Sequence, residues 1–370
     1  METLYLKRYA YLLVRYCLDI KPGDRLLVQS TTLAEPLIAE IYRACLQARG
    51  HCEIQMSIDG QAETLLEVGN DDQLKYVPTT YKKAMEEFEA YLVIKAPFDQ
   101  RRKAVHPNRA AFRQKVMHPL YQTYAQRTAN GEMKRSLCLY PCPSLAETAG
   151  MSLKDYTDFV IKVCRLDKAD PIADWHSLGS RQQNIVDYLN ERQQFRYVND
   201  RMDVQFSTKD RTWINSDGRT NMPSGEVYTS PVENSVEGEV YFDYPAMREG
   251  QEVRGIWLKI ANGEITDWSA EAGAEVLERA LDMPGARRFG EAAIGTNYLI
   301  DRFTKNILFD EKIGGTIHMA IGQSYLQAGG KNESSVHWDM IADMTKAGQI
   351  YADGTLIYEN GQFDPQIVGV

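Results

Sequence analysis

The chain has 370 residues, 44% of them apolar and 25% charged, with a formal net charge of −9. That length suits one large domain or two ordinary ones with a sizeable buried core. The acidic balance argues against a general binder of nucleic acid or anionic membrane, and without a run of 18 uncharged apolar residues no transmembrane helix is expected.

The first segment, METLYLKRYAYLLVRYC, is interrupted by Lys7, Arg8 and Arg15 and lacks a small-residue cleavage site. It reads as an amphipathic helix and not a signal peptide, so a cytoplasmic protein is expected. Pro22-Gly23 then introduces a short apolar run, 24–30, which predicts a strand. The pattern of 34–50 is helical and ends on Gly50, a suitable C-cap. A second strand follows at 51–57, completing a βαβ unit that favours a parallel sheet with helices on its faces. Further strands are predicted at 90–97 and 134–144, and helices at 71–88, 109–130 and 153–166. No glycine-rich phosphate loop follows any strand, so nucleotide binding of the Rossmann or P-loop kind lacks its signature.

A polar amphipathic helix over 175–196 closes this part, and the texture then changes. Short β-prone runs alternate with Asp-Gly, Asn-Ser and Gly turns. Residues 253–268 have the form of a hairpin about Asn262-Gly263, and 348–363 of another about Asp353-Gly354. A helix over 270–282 interrupts the strands. The expected architecture is an α/β N-terminal domain with a mainly parallel sheet, 1–195, and an α+β C-terminal domain with mainly antiparallel strands, 196–370. The six cysteines, Cys17, Cys45, Cys52, Cys138, Cys142 and Cys164, all lie in the first half. Without a secretion signal they read as buried thiols; Cys138 and Cys142 have no second pair with zinc-ligand spacing.

Two of the six histidines, His318 and His337, fall in the β-rich half. His337 and Asp339 are two residues apart, so on a strand their side chains share a face and can reach one ion. Glu226 follows Pro223 and Gly225 in a turn leading to a β-prone run. Glu291 follows Gly290 and precedes small residues, which let an ion and a substrate approach the backbone. Each has a plain alternative: a His-x-Asp pair is usually a surface or satisfied core feature. Glu226 alone suits a solvated turn, and Glu291 alone suits a helix N-terminus. His51, His106, His118 and His176 have no carboxylate–histidine cluster around them. Arg101-Arg102-Lys103 reads as a solvated loop or the border of a substrate entrance.

Read together and in order, "NMPSGEVYTSPVENSVEG", "FGEAAIGTN", "GGTIHMAIGQSY" and "HWDM" resemble the metal-binding segments of the aminopeptidase T family, which includes aminopeptidase S. "YPCPSLAETAGMSLKDYTDFV" is similar to a hallmark of that family's N-terminal domain, and the resemblance runs from about Gly23 to the end. It implies a dinuclear metallo-aminopeptidase that places the metal site in the C-terminal domain. The implied ligands are Glu226, Glu291 as the bridge, His318, Tyr325, His337 and Asp339. The implied cofactors are two divalent ions such as Zn²⁺, Co²⁺ or Mn²⁺. One ion would polarise the scissile carbonyl and activate water while the other receives the substrate's free amine. Glu226, Glu291 and Tyr325 are the candidate catalytic residues, with either glutamate as proton shuttle and Tyr325 as ligand or oxyanion donor. The expected partners are a short peptide with a free N-terminus and a second copy of the chain, with neither nucleic acid nor membrane. Two departures bear on the pocket: a shorter connection from His318 to His337, and no proline-rich continuation after "GEAAIGTN".

Ring-cleaving dihydroxypyridine dioxygenases resemble the same family and use one iron held by two His and one Asp. His318, His337 and Asp339 could supply that set, although retention of Glu226 and Glu291 favours the peptidase. A binding protein keeping a structural metal is a third alternative.

Overall fold

The structure, a computed structural model, describes residues 1–99 and 106–369. The basic run Arg101 to Lys103 lies outside the described residues. The chain forms two compact units, Met1–Ile172 with Arg219–Met222, and Ala173–Gly218 with Pro223–Val370.

The first unit is built on a parallel sheet in the order His51–Ser57, Arg25–Thr31, Ala90–Lys95, Lys134–Leu139, Asn221–Met222. Leu26, Leu27 and Val28 are all fully buried, as a continuous apolar run requires when both sheet faces are covered. Helices Glu35–Gln47 and Pro107–Ala129 match the expected 34–50 and 109–130 closely. The single helix expected over 71–88 is two, Asp71–Lys75 and Thr79–Glu87. Pro78 separates them, because the residue before a proline is pushed out of helical geometry. The six cysteines are free thiols, five of them buried.

The second unit pairs two antiparallel sheets. The larger runs Glu264–Ser269, Ile256–Ala261, Glu237–Phe242, Met202–Ser207, Gln194–Asn199, Gln349–Ala352, Thr355–Glu359, Gln362–Phe363. The smaller runs His337–Asp343, Thr316–Gly322, Phe289–Gly295, Glu226–Thr229, Ile214–Ser216. One apolar core joins them, with Phe195, Val204 and Leu258 from the larger sheet and Ile294, Met319 and Met340 from the smaller. Both predicted hairpins form; Asn262 and Gly263 have φ of 53° and 74°, the left-handed pair that a two-residue hairpin turn needs.

The helix expected over 175–196 is Pro171–Asn190, and 194–199 is a strand. All but its first two residues belong to the second unit, ahead of the 195/196 boundary drawn from the sequence. Ile185, Val186 and Leu189 are buried in the second unit's core, a long-range preference that amphipathic periodicity does not reveal. Residues 219–222 return to the first unit, where Asn221 pairs with Leu137.

Candidate metal centre

The smaller sheet of the second unit carries every candidate ligand but Tyr325, and register explains how they meet. Glu291, Ala320 and Asp339 lie opposite one another on three adjacent strands. Directly opposed residues share a sheet face, so two carboxylates flank a methyl group. One step along that face Gly322 faces His337, and one step the other way Ala293, His318 and Tyr228 are aligned. The next row sets Glu226 against Gly295. Period-two alternation therefore places Glu226, Glu291, His318, His337 and Asp339 on one face, with only Ala and Gly between them on the central strands. The intervening residues Val227, Ala292, Ile294, Met319, Ile321, Trp338 and Met340 point the other way into the apolar core.

Two glycines open the face. Gly225 has φ of 120°, and a Cβ there would come 2.7 Å from Asn297 Cβ. This lets the Glu226 turn lie against the 296–297 segment, where Thr296 N–H donates to Gly225 O at 2.8 Å. A Cβ on Gly290 would fall 2.2 Å from Gln323 O, so the Glu291 strand starts directly beside the 322–323 turn. Gln182, fully buried on the Pro171–Asn190 helix, donates from Nε2 to Glu226 O at 3.0 Å and fixes that strand from behind.

The polar ends converge. Glu291 Oε2 lies 3.1 Å from His337 Nε2 and its Oε1 lies 3.6 Å from His318 Nε2. Asp339 Oδ1 is 3.6 Å from His337 Nε2, and Glu226 Oε2 is 3.4 Å from His318 Nε2. His337 Nδ1 is 2.8 Å from the Gln323 carbonyl. A carbonyl only accepts, so Nδ1 carries hydrogen and Nε2 is the ring nitrogen turned toward the carboxylates, the one left to coordinate an ion once its own proton is lost. Tyr325 packs its ring between Tyr228 and His337, with both centroids 5.0 Å away.

Protons report the same field. Burial opposes ionisation of both histidines, yet Glu291 and its acidic neighbours push His318 up to about 9, and Asp339 with Glu291 pushes His337 up to about 12. Burial would raise Glu291, but the two imidazoles hold it below its ordinary value. Burial and the nearby acids raise Tyr325 far above a free phenol, so it keeps its proton.

Donor atoms fall into two groups, each within 4.8 Å internally: Glu291, His337 and Asp339, and Glu311, His318 and Asp339. A buried polar atom without a partner is costly, and Glu226 Oε2, His318 Nδ1, His337 Nε2 and Asp339 Oδ1 meet no hydrogen-bond partner. An oxygen- and imidazole-rich set with such atoms fits a divalent ion. Asp339 belongs to both groups, and Glu291 reaches both histidines. Glu226 stands at the edge, bound to Lys312 Nζ at 2.8 Å.

Glu311 and Lys312 are the residues sequence reasoning missed. They follow a short helix, Ile307–Asp310, in an ordinary-looking turn. The approach of 312 to 297 brings them in, with Asn297 N–H donating to Lys312 O at 3.0 Å. The available signal was the acid–base pair in "FDEKIGGTIH" just before the His318 strand. Burial, with the Glu226 and Asp339 charges, pushes Glu311 up to about 8 against the pull of Lys312.

The family model for thermophilic metalloproteases (M29) matches residues 3–363. The chain is 28% identical to aminopeptidase 2 of Geobacillus stearothermophilus over 402 aligned residues, covering 97% of this chain and 95% of that protein. Its fold is similar to that of wild-type AmpT from Thermus thermophilus, with a TM-score of 0.83 at 23% identity, covering 97% of this chain and 98% of that one. It is also similar to 2,5-dihydroxypyridine dioxygenase from Pseudomonas putida KT2440, with a TM-score of 0.63 at 13% identity, covering 98% of each chain. These structural likenesses concern the fold alone.

Proposed function

The chain belongs to the thermophilic metalloprotease (M29) family and is a metal-dependent aminopeptidase, and from that premise we propose how its own residues carry the reaction. The carrying observation is the pair of donor groups, Glu291–His337–Asp339 and Glu311–His318–Asp339, joined through Asp339 on one sheet face. They would offer cations two adjacent positions. Glu291, His337 and Asp339 would hold the first, whereas His318, Asp339 and Glu311 border the second and Glu226 faces it through Oε2. Zinc, cobalt or manganese suits the mixed oxygen and imidazole set. When bound, a divalent ion there supplies Lewis acidity and an ionisable water.

The residues around it do the rest. Gln323 O orients His337 through Nδ1. Glu291 spans both histidines, which makes it the carboxylate to take a proton from water and pass it to the leaving amine. The Tyr325 phenol, packed against His337 and still protonated, is the donor for the oxyanion that forms at the scissile carbonyl. The excess of carboxylates favours a substrate ammonium, which restricts cleavage to the first residue of a short peptide. Retention of Glu226 and Glu291 beside the His-His-Asp set favours hydrolysis over the dioxygenase reading.

The test is release of the first amino acid from metal-loaded protein given free-amine peptides and N-acetylated controls. Equal cleavage of the blocked peptides would refute amine recognition, and oxygen uptake without hydrolysis would favour the dioxygenase. Among the described residues no helix is long and apolar enough to cross a membrane. A cytoplasmic homodimer is part of the proposal, checked by sedimentation for the dimer and by cell fractionation for the compartment.

A further inference from the structure

The centre contains a cation of its own. Lys312 is fully buried; its Nζ donates to Glu226 Oε1 at 2.8 Å and to Glu311 Oε1. The residue is tied at both backbone groups. Its N–H donates to Phe309 O at 3.0 Å and its carbonyl accepts from Asn297 N–H at 3.0 Å. A lysine buried this completely persists where acids pair it, and the acids that pair it here are the two beside the second cation position.

The two positions therefore differ. At the first, His337 Nε2 and Asp339 Oδ1 meet no hydrogen-bond partner and are open to an ion. At the second, Glu226 Oε2, 3.4 Å from His318 Nε2, and His318 Nδ1 likewise meet no hydrogen-bond partner, but Glu311 and the other oxygen of Glu226 already hold the ammonium, and that cation is what sets the second position apart. An ion on the Glu311 oxygen that Lys312 holds, at a metal–oxygen length of about 2.0–2.2 Å, would lie within about 5 Å of Nζ. Water does not screen that like-charge contact in a buried site.

We propose that the Lys312 ammonium is the resident cation of the second position, so that the chain binds one divalent ion, at Glu291, His337 and Asp339, where the donor set alone would accept two. The ammonium pairs with Glu226 and Glu311, but it has no coordination position at which to ionise a water. The water-activating role then falls to the first ion alone.

The inference rests on the metal reading of the site, and a count of ions separates the two. Chelator-stripped protein is titrated with cobalt(II), followed by visible absorption, and bound metal is counted by elemental analysis after gel filtration. One ion per wild-type chain and two in Lys312→Asn or Lys312→Ala are expected. Two ions in the wild type would overturn the inference and leave the metal site standing, whereas none would overturn both. One ion in a variant that still melts cooperatively would also overturn it. Manganese(II) magnetic resonance on the wild type at two equivalents needs no variant: an isolated-ion spectrum with one equivalent free is expected, and a spin-coupled pair refutes it.

Discussion

Ala320 occupies the row between Glu291 and Asp339, and Ala320→Leu is the sharpest perturbation of the centre. Opposed Cβ atoms on neighbouring strands lie about 4.5–5.5 Å apart, so the two acidic Cβ atoms stand about 10 Å apart with the alanine methyl midway. Their carboxylates and His337 Nε2 converge above it to within 4.8 Å of one another. Leucine adds three carbons to that space, each needing about 3.5–4.0 Å from its neighbours. An ion and the leucine cannot both fit. Metal affinity should fall at least a hundredfold, about 2.7 kcal/mol, and peptidase activity with it. Overpacking should cost the metal-free fold only about 1–3 kcal/mol, because the core-facing neighbours Met319 and Ile321 are untouched. Ala320→Gly is the control: it should keep the metal and lose about 0.5–1 kcal/mol through backbone entropy. Bound metal by elemental analysis and thermal melts of stripped protein read both effects. An Ala320→Leu chain that binds metal at wild-type affinity would show that the shared face is not the site.

Tyr325→Phe should lower kcat about 10²–10³-fold, the usual cost of losing one oxyanion donor, while metal content stays unchanged; an unaltered kcat rules out the donor role. Gly225→Ala should destabilise the fold by about 1–3 kcal/mol, since φ is 120° and the new Cβ meets Asn297; a denaturation midpoint equal to wild type contradicts the close approach. Metal uptake at pH 7.5 should release protons, because a ligating imidazole must be neutral and His337 is pushed up to about 12 without metal. Calorimetry in buffers of different ionisation enthalpy measures this, and heats independent of buffer would refute it. The sign carries over to stability. His318 is raised above its ordinary 6.5, so its contribution to the metal-free fold is complete below about pH 6.5 and lost as pH rises through about 9. Thermal melts of stripped protein between these values should fall with pH, and a flat profile would contradict the pairing with Glu291.

Much of the fold was legible because its signals are local. The apolar run 24–30 and the glycine-ended helix after it could form little else than a strand and its crossover. Asn262-Gly263 specified its turn through φ alone. The helix expected over 71–88 breaks at Pro78, although that break too is a local signal present in the sequence. The end of the 171–190 helix and its membership of the second unit were less legible, because Gln182 and Leu189 act through partners distant in sequence. The His337–Asp339 pair could be read as one-faced from its spacing, and that face is the one that meets Glu291.

By itself the sequence determined the kinds of donor present, their order along the chain and the alternation that turns them to one side of a strand. These follow from covalent spacing and the two-residue period of β structure. Only the tertiary structure decided which donors meet. Strand register aligns Glu291 with Ala320 and Asp339, and the Asn297–Lys312 backbone contact carries Glu311 and a buried ammonium to the same place. Register and loop approach are set by packing between segments far apart in the chain, and no local pattern in "FDEKIGG" encodes them.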